Sequence, residues 1–142
     1  MAYLLDVNML VALMNPNHTH SAKAAAWVNS QLDADSLLIC RVSQMGALRI
    51  LTNSTVMKLD VQTPAAFWVS WARLMSDIRF KMIQEPAGFE VVWQDVSCRL
   101  PPGQRADTDV YFAALAEAGN WRMATFDKGF KRFTTLNLEI LS

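Results

Sequence analysis

The sequence predicts an α/β sandwich with a mostly parallel central sheet of four or five strands. Two observations predict it. Short apolar runs alternate with helical periods along the chain, the pattern of strand–helix–strand units. The 142 residues, 52% of them hydrophobic, suit one domain, spanning 1–142, with a sizeable core. A third observation concerns the ligand edge of such a sheet. Nine of the thirteen acidic residues are Asp, a poor strand and helix former but a good cap, turn and metal-ligand residue.

"AYLL" (2–5) is a short buried strand, and "VNMLVALM" is the helix that follows it. "NPNHTH" (15–20) is a turn cluster. A helix through "AKAAAWVNSQL" takes its cap from Thr19 or Ser21. "SLLIC" (36–40) is a second strand, followed by a helix through "SQMGALRILT" with Ser43 as N-cap. Residues 53 to 62 form a loop. Pro64 suits the first turn of the next helix, in which Phe67, Trp71, Leu74 and Ile78 make an apolar stripe. "FEVVW" (89–93) reads as a third strand and "CRLPPGQR" (98–105) as a loop. A helix through "TDVYFAALAEAG" follows, with Tyr111, Ala114, Leu115 and Ala118 on one face and Gly119 at its C-cap. "WRMATF" (121–126) is a fourth strand, then Asp127 and a tight turn. "LEIL" (138–141) is a fifth, edge strand.

Composition narrows the function. Thirteen basic and thirteen acidic residues cancel, which argues against loose, charge-driven nucleic-acid binding. No apolar run is long enough to span a bilayer, and Asp6 interrupts the only N-terminal apolar stretch that a signal peptide would need. Two cysteines, Cys40 and Cys98, give neither a disulfide framework nor a metal-ligand spacing. A cytoplasmic setting is expected.

The acids fall where a parallel sheet binds ligands, beyond the carboxyl ends of its strands. Asp6 ends the first strand. Asp127 follows the fourth. Asp107 and Asp109 open the helix before that strand. Asp107 also reads as an N-cap and Asp109 as a first-turn charge, and Asp127 as a turn residue. Asp6 is the hardest to explain structurally, because a lone carboxylate ending a buried strand is costly unless paired or bound. Together, four converging carboxylates repel one another, and an oxygen-liganded cation such as Mg²⁺ or Mn²⁺ relieves that.

The segments "LLDVNMLVAL", "NPNHTHSAKAAAW", "SQMGALRIL", "TDVYFAALAEAGN" and "MATFDKGF" resemble, in order, the motifs of PIN-domain ribonucleases, and within them the VapC-type toxins of toxin–antitoxin pairs. The resemblance runs from residue 3 to about 133. It implies a three-layer α/β/α fold and a metal-dependent endoribonuclease. Asp6, Asp109 and Asp127 match the family's catalytic acids and metal ligands, and Asp107 is an additional nearby acid. Asn8 matches the small polar residue after the first acid. Many PIN domains carry a Glu on the second helix shortly before an Arg. Here Arg49 is present, Gly46 and Gln44 precede it, and no Glu occurs before Glu85. Gln44 offers a neutral oxygen in its place, or is a solvent-facing helix residue. The implied partners are an RNA substrate, a VapB-like antitoxin and a second copy of the chain, with no membrane.

Other residues are weighed beside these. Thr125 and Thr108 are weaker candidates for orienting an acid or a water. Arg49, Arg105, Lys128, Lys131 and Arg132 are the cations nearest the motifs in sequence. His18 and His20, the only histidines, are read as part of a polar loop that does no chemistry. Trp68, Trp71, Met75 and Met82 are read mostly as core, with some available for a partner-facing patch. A haloacid-dehalogenase-type phosphatase is disfavoured, since Asn8 stands where it needs a second Asp and no suitable downstream Lys motif is evident. The remaining rival is a catalytically weak or inactive PIN-like module that binds RNA or protein.

Overall fold

The computed structural model describes residues 1–142. Its strands are β1 (Tyr3–Leu5), β2 (Leu37–Ile39), β3 (Phe80–Met82), β4 (Arg122–Thr125) and β5 (Leu138–Ile140). They form one sheet in the order β3-β2-β1-β4-β5, and every pairing is parallel. The helices are α1 (Val7–Met14), α2 (Ser21–Asn29), α3 (Arg41–Leu51), α4 (Ser54–Met57), α5 (Pro64–Met75), α6 (Phe89–Cys98) and α7 (Thr108–Gly119).

Alternation along the strands builds the three layers. Tyr3, Leu5, Leu37, Ile39 and Ala124 point to one face, where they pack with Met9 and Leu10 of α1, Val28 of α2, Leu51 of α3 and Phe67 of α5. Leu4, Leu38 and Met123 point to the other, against Phe89 and Val96 of α6 and Val110 to Ala116 of α7. Both faces are covered, as a parallel sheet requires.

Several expectations are corrected. "FEVVW" is the start of α6, not a strand. Phe89 and Val96 are buried, Val92 half-buried and Val91 exposed, a spacing of three and four that only a helix produces. The third strand is instead β3, at the sheet edge. Residues 53–62 hold α4 and a 3₁₀ turn, with Asn53 Oδ1 accepting the amides of Thr55 and Val56. The remaining differences are caps. His20, not Thr19 or Ser21, precedes α2 and supplies no side-chain cap bond. α3 starts two residues before Ser43, whose hydroxyl donates to the Cys40 carbonyl at 2.9 Å. α7 ends in a left-handed Asn120 at φ 54°, one residue past Gly119. On α5, Trp71 is core while Trp68 is 46% exposed, and Ile78 lies beyond the helix end at 74%.

Candidate active site

The site forms at the carboxyl edge because of strand register. Leu5 pairs with Ala124, so the next residues, Asp6 and Thr125, stand side by side despite their distance in sequence. Asp6 caps α1. One of its oxygens accepts the Met9 amide at 2.9 Å and the other accepts the Thr125 hydroxyl at 2.6 Å. Thr125 is fully buried, and its hydroxyl oxygen accepts the Asp127 amide at 3.0 Å. A single threonine therefore ties the first acid to the last.

Asp6 is only 3% exposed. Burial pushes its carboxyl up to about 6, against the hydrogen bonds from Thr125 and Met9, and the charges of Asp109 and Asp127 add to the rise. Asp109 is raised too, first by burial, then by Asp107 and Asp127, while Arg132 pulls it down. The three acids repel one another across shared space. That space is a cavity of about 200 Å³ lined by Asp6, Asn8, Arg49, Thr108, Asp109 and Asp127, with Val7, Ile50 and Phe112 as its apolar wall.

The other candidate residues divide between this cavity and its surroundings. Asp107 stands outside the lining: it caps α7 by accepting the Asp109 amide at 3.1 Å. Arg132 lies 3.6 Å from Asp107 and 3.7 Å from Asp109, bridging the two. Gln44 is corrected on its solvent-facing reading. It is 5% exposed rather than solvent-facing, and its side-chain oxygen is taken by Arg41. Gly46 explains why no side chain reaches in from α3 at that point. A Cβ there would lie 2.6 Å from Val7 Cγ2. Arg105, Lys128 and Lys131 are exposed.

Two residues that sequence reasoning undervalued are Thr125 and His20. The signal for Thr125 was its place one residue beyond the partner of Leu5, which only the pairing register reveals. His18 and His20 border a second cavity together with Asn8 and Asp127. His18 Nδ1 accepts the His20 amide at 3.0 Å, which leaves its proton on Nε2. Burial, and then the charge of His20, hold the His18 imidazolium below its ordinary value.

The donor set suits a hard divalent cation, being all oxygen and dominated by mutually repelling carboxylates. The side chains as placed do not make a finished coordination shell, since no three His, Cys, Asp or Glu residues stand close enough together to hold an ion. Asp109 is turned partly toward Arg132.

Sequence and fold match a known class. The PIN domain family model matches residues 3–136, and the chain belongs to that family. Its relatives make the assignment narrower. It is 31% identical over 127 residues to Ribonuclease VapC39 of Mycobacterium tuberculosis, covering 89% of each chain. It is 29% identical over 143 residues to Ribonuclease VapC41 of the same organism, covering 98% of each. The chain is thus a VapC-type PIN-domain protein. In fold it is similar to VapBC-1 from nontypeable Haemophilus influenzae, with a TM-score of 0.75 at 18% identity over 99% of this chain and 98% of that one. VapBC2 from Rickettsia felis gives 0.72 at 17% identity over the whole of both chains.

Proposed function

We propose that this chain is a Mg²⁺- or Mn²⁺-dependent endoribonuclease and the toxin of a toxin–antitoxin pair. The observation that carries the reading is the convergence of Asp6, Asp109 and Asp127 on one small cavity at the sheet's carboxyl edge. The relatives' names, all ribonucleases, support RNA as the polymer.

Asp6, Asp109 and Asp127 would hold the cation, with Asp107 close behind. Bound there, Mg²⁺ or Mn²⁺ would supply Lewis-acid activation of water and neutralise charge at the phosphate. Thr125 fixes the orientation of Asp6 and of the Asp127 backbone. Asn8 offers an amide to Asp6 or to a water at the cavity mouth. Arg49 faces the acids across the same cavity and is placed to receive a phosphate oxygen. Arg132 holds Asp107 and Asp109, limiting their repulsion.

The partner proposed is a VapB-like antitoxin, because the structural neighbours are VapBC complexes. An arginine of that partner entering the cavity would meet Asp6, Asp109 and Asp127, of which Arg132 already pairs with Asp109. A homodimer is proposed alongside it.

One observation favours the rival, a non-cutting RNA- or protein-binding module: position 46 lacks both a Glu and the room for one. Cleavage of total bacterial RNA by the purified, antitoxin-free chain separates the two. The expected result is discrete cuts in Mg²⁺ or Mn²⁺ that vanish with EDTA and in Asp109→Asn. Intact RNA under all conditions, from a folded protein, would favour the binding module.

A further inference from the structure

The loop of residues 15–20 carries both histidines and is held by bonds within it and by one to Asp60. Asn15 Oδ1 accepts the Asn17 amide at 3.1 Å, and Asn17 Nδ2 donates to Asp60 Oδ1 at 3.1 Å. The loop presents a ladder of three rings. His20 lies flat on Phe126, with centroids 4.3 Å apart and 8° between the planes. His18 follows at 5.7 Å from His20 and 43°. All three rings are partly exposed.

The ladder lines a cavity of about 500 Å³, completed by Asn8, Thr19 and Asp127. Asn8 and Asp127 also line the acidic cavity. The two spaces therefore share a wall, one side bearing carboxylates and the other aromatic rings. A polymer whose phosphate sits at the acids carries its next flat group into the ring-lined space. Sequence reasoning assigned these histidines no role, and a polar loop needs no ring stacked on Phe126.

We propose that the His18–His20–Phe126 ladder is a nucleobase subsite, on which an unpaired RNA base next to the scissile phosphate stacks. The identity of the polymer rests on the ribonuclease reading. Proteins that read single-stranded RNA stack splayed bases on aromatic and histidine rings, and any base offers the required face. The Nε2–H of His18 is a donor available to the edge of that base or to its ribose. The phosphate contributes position and charge, whereas the ladder contributes affinity for the base itself.

The test is a double-mutant cycle between His20 and the base, read as binding so that cutting does not interfere. The parent is Asp109→Asn, which spares every residue of the ring-lined cavity. Its Kd is measured in Mg²⁺ for a short, labelled single-stranded ribo-oligonucleotide of mixed sequence and for the same chain made fully abasic. His20→Ala is expected to weaken binding of the base-bearing chain about tenfold. His20→Phe, which keeps a ring on Phe126, stays within about twofold. On the abasic chain all three proteins bind alike. The proposal is overturned if His20→Ala binds the base-bearing chain as its parent does, or if it loses the same factor on the abasic one. A His20→Phe protein as weak as His20→Ala also overturns stacking. Unchanged RNA affinity with weakened antitoxin affinity would give the ladder to the protein partner instead. Cleavage by the chain with native Asp109 is read separately: RNA held through His20 but never cut leaves the subsite standing and removes the nuclease.

Discussion

Asp6 accepts two hydrogen bonds and caps a helix, yet burial still holds its carboxyl near 6. Its unfolded value is about 4. The folded chain therefore keeps its proton longer than the unfolded chain does. Below about pH 4 both forms are protonated and nothing is lost. As pH rises from about 4 to 6 the unfolded chain ionises first, and stability falls by an amount on the order of 3 kcal/mol. Above pH 6 the loss is complete. Asp6→Asn removes this term. Urea unfolding in EDTA should show the variant gaining on wild type across that window and staying ahead at pH 7. Equal pH dependence in the two proteins would mean that Asp6 is not the group involved. A residue that weakens the fold at neutral pH and yet fills a buried strand end suits a cation-binding role better than a structural one.

At the scale of elements, the contact between α1 and α3 depends on Gly46. A Cβ at that position would meet Val7 at 2.6 Å, and Val7 is too short and branched to swing clear. Alanine gains up to about 1 kcal/mol of helix propensity over glycine, but overpacking costs about 1–3 kcal/mol. Gly46→Ala should therefore lower the urea midpoint, and Gly46→Glu should lower it further without restoring a family-like acid. Elements of this kind also mark what was legible. β1, α1, β2, α5, α7, β4 and β5 were readable because their apolar runs and periods were strong. α6 was misread because Phe, Val and Trp in "FEVVW" favour strands when counted as residues, although their burial follows a helical spacing. β3 was missed because an edge strand of three residues with one buried side chain carries almost no periodic signal. The strand-end acids were legible from chemistry and position. Their connection through Thr125 was not, since it exists only in the pairing of β1 with β4.

At the scale of the whole molecule, the fold gathers four sequence-distant segments at one edge of a parallel sheet while the net charge stays at zero. Attraction for a polyanion must then be local, from Arg49 within the cavity and the cations around Asp127, rather than global. No helix is long and apolar enough to cross a membrane. The free energy released by cation binding appears as added stability of the entire chain, because only the folded state assembles the acids. The most direct measurement is the thermal midpoint of the wild-type chain and of Asp6→Asn at pH 7, each with EDTA and with millimolar Mn²⁺. Wild type should start lower and rise by several degrees with Mn²⁺, whereas Asp6→Asn should start higher and respond little. No response in wild type, or an equal response in both proteins, would contradict a cation held by Asp6.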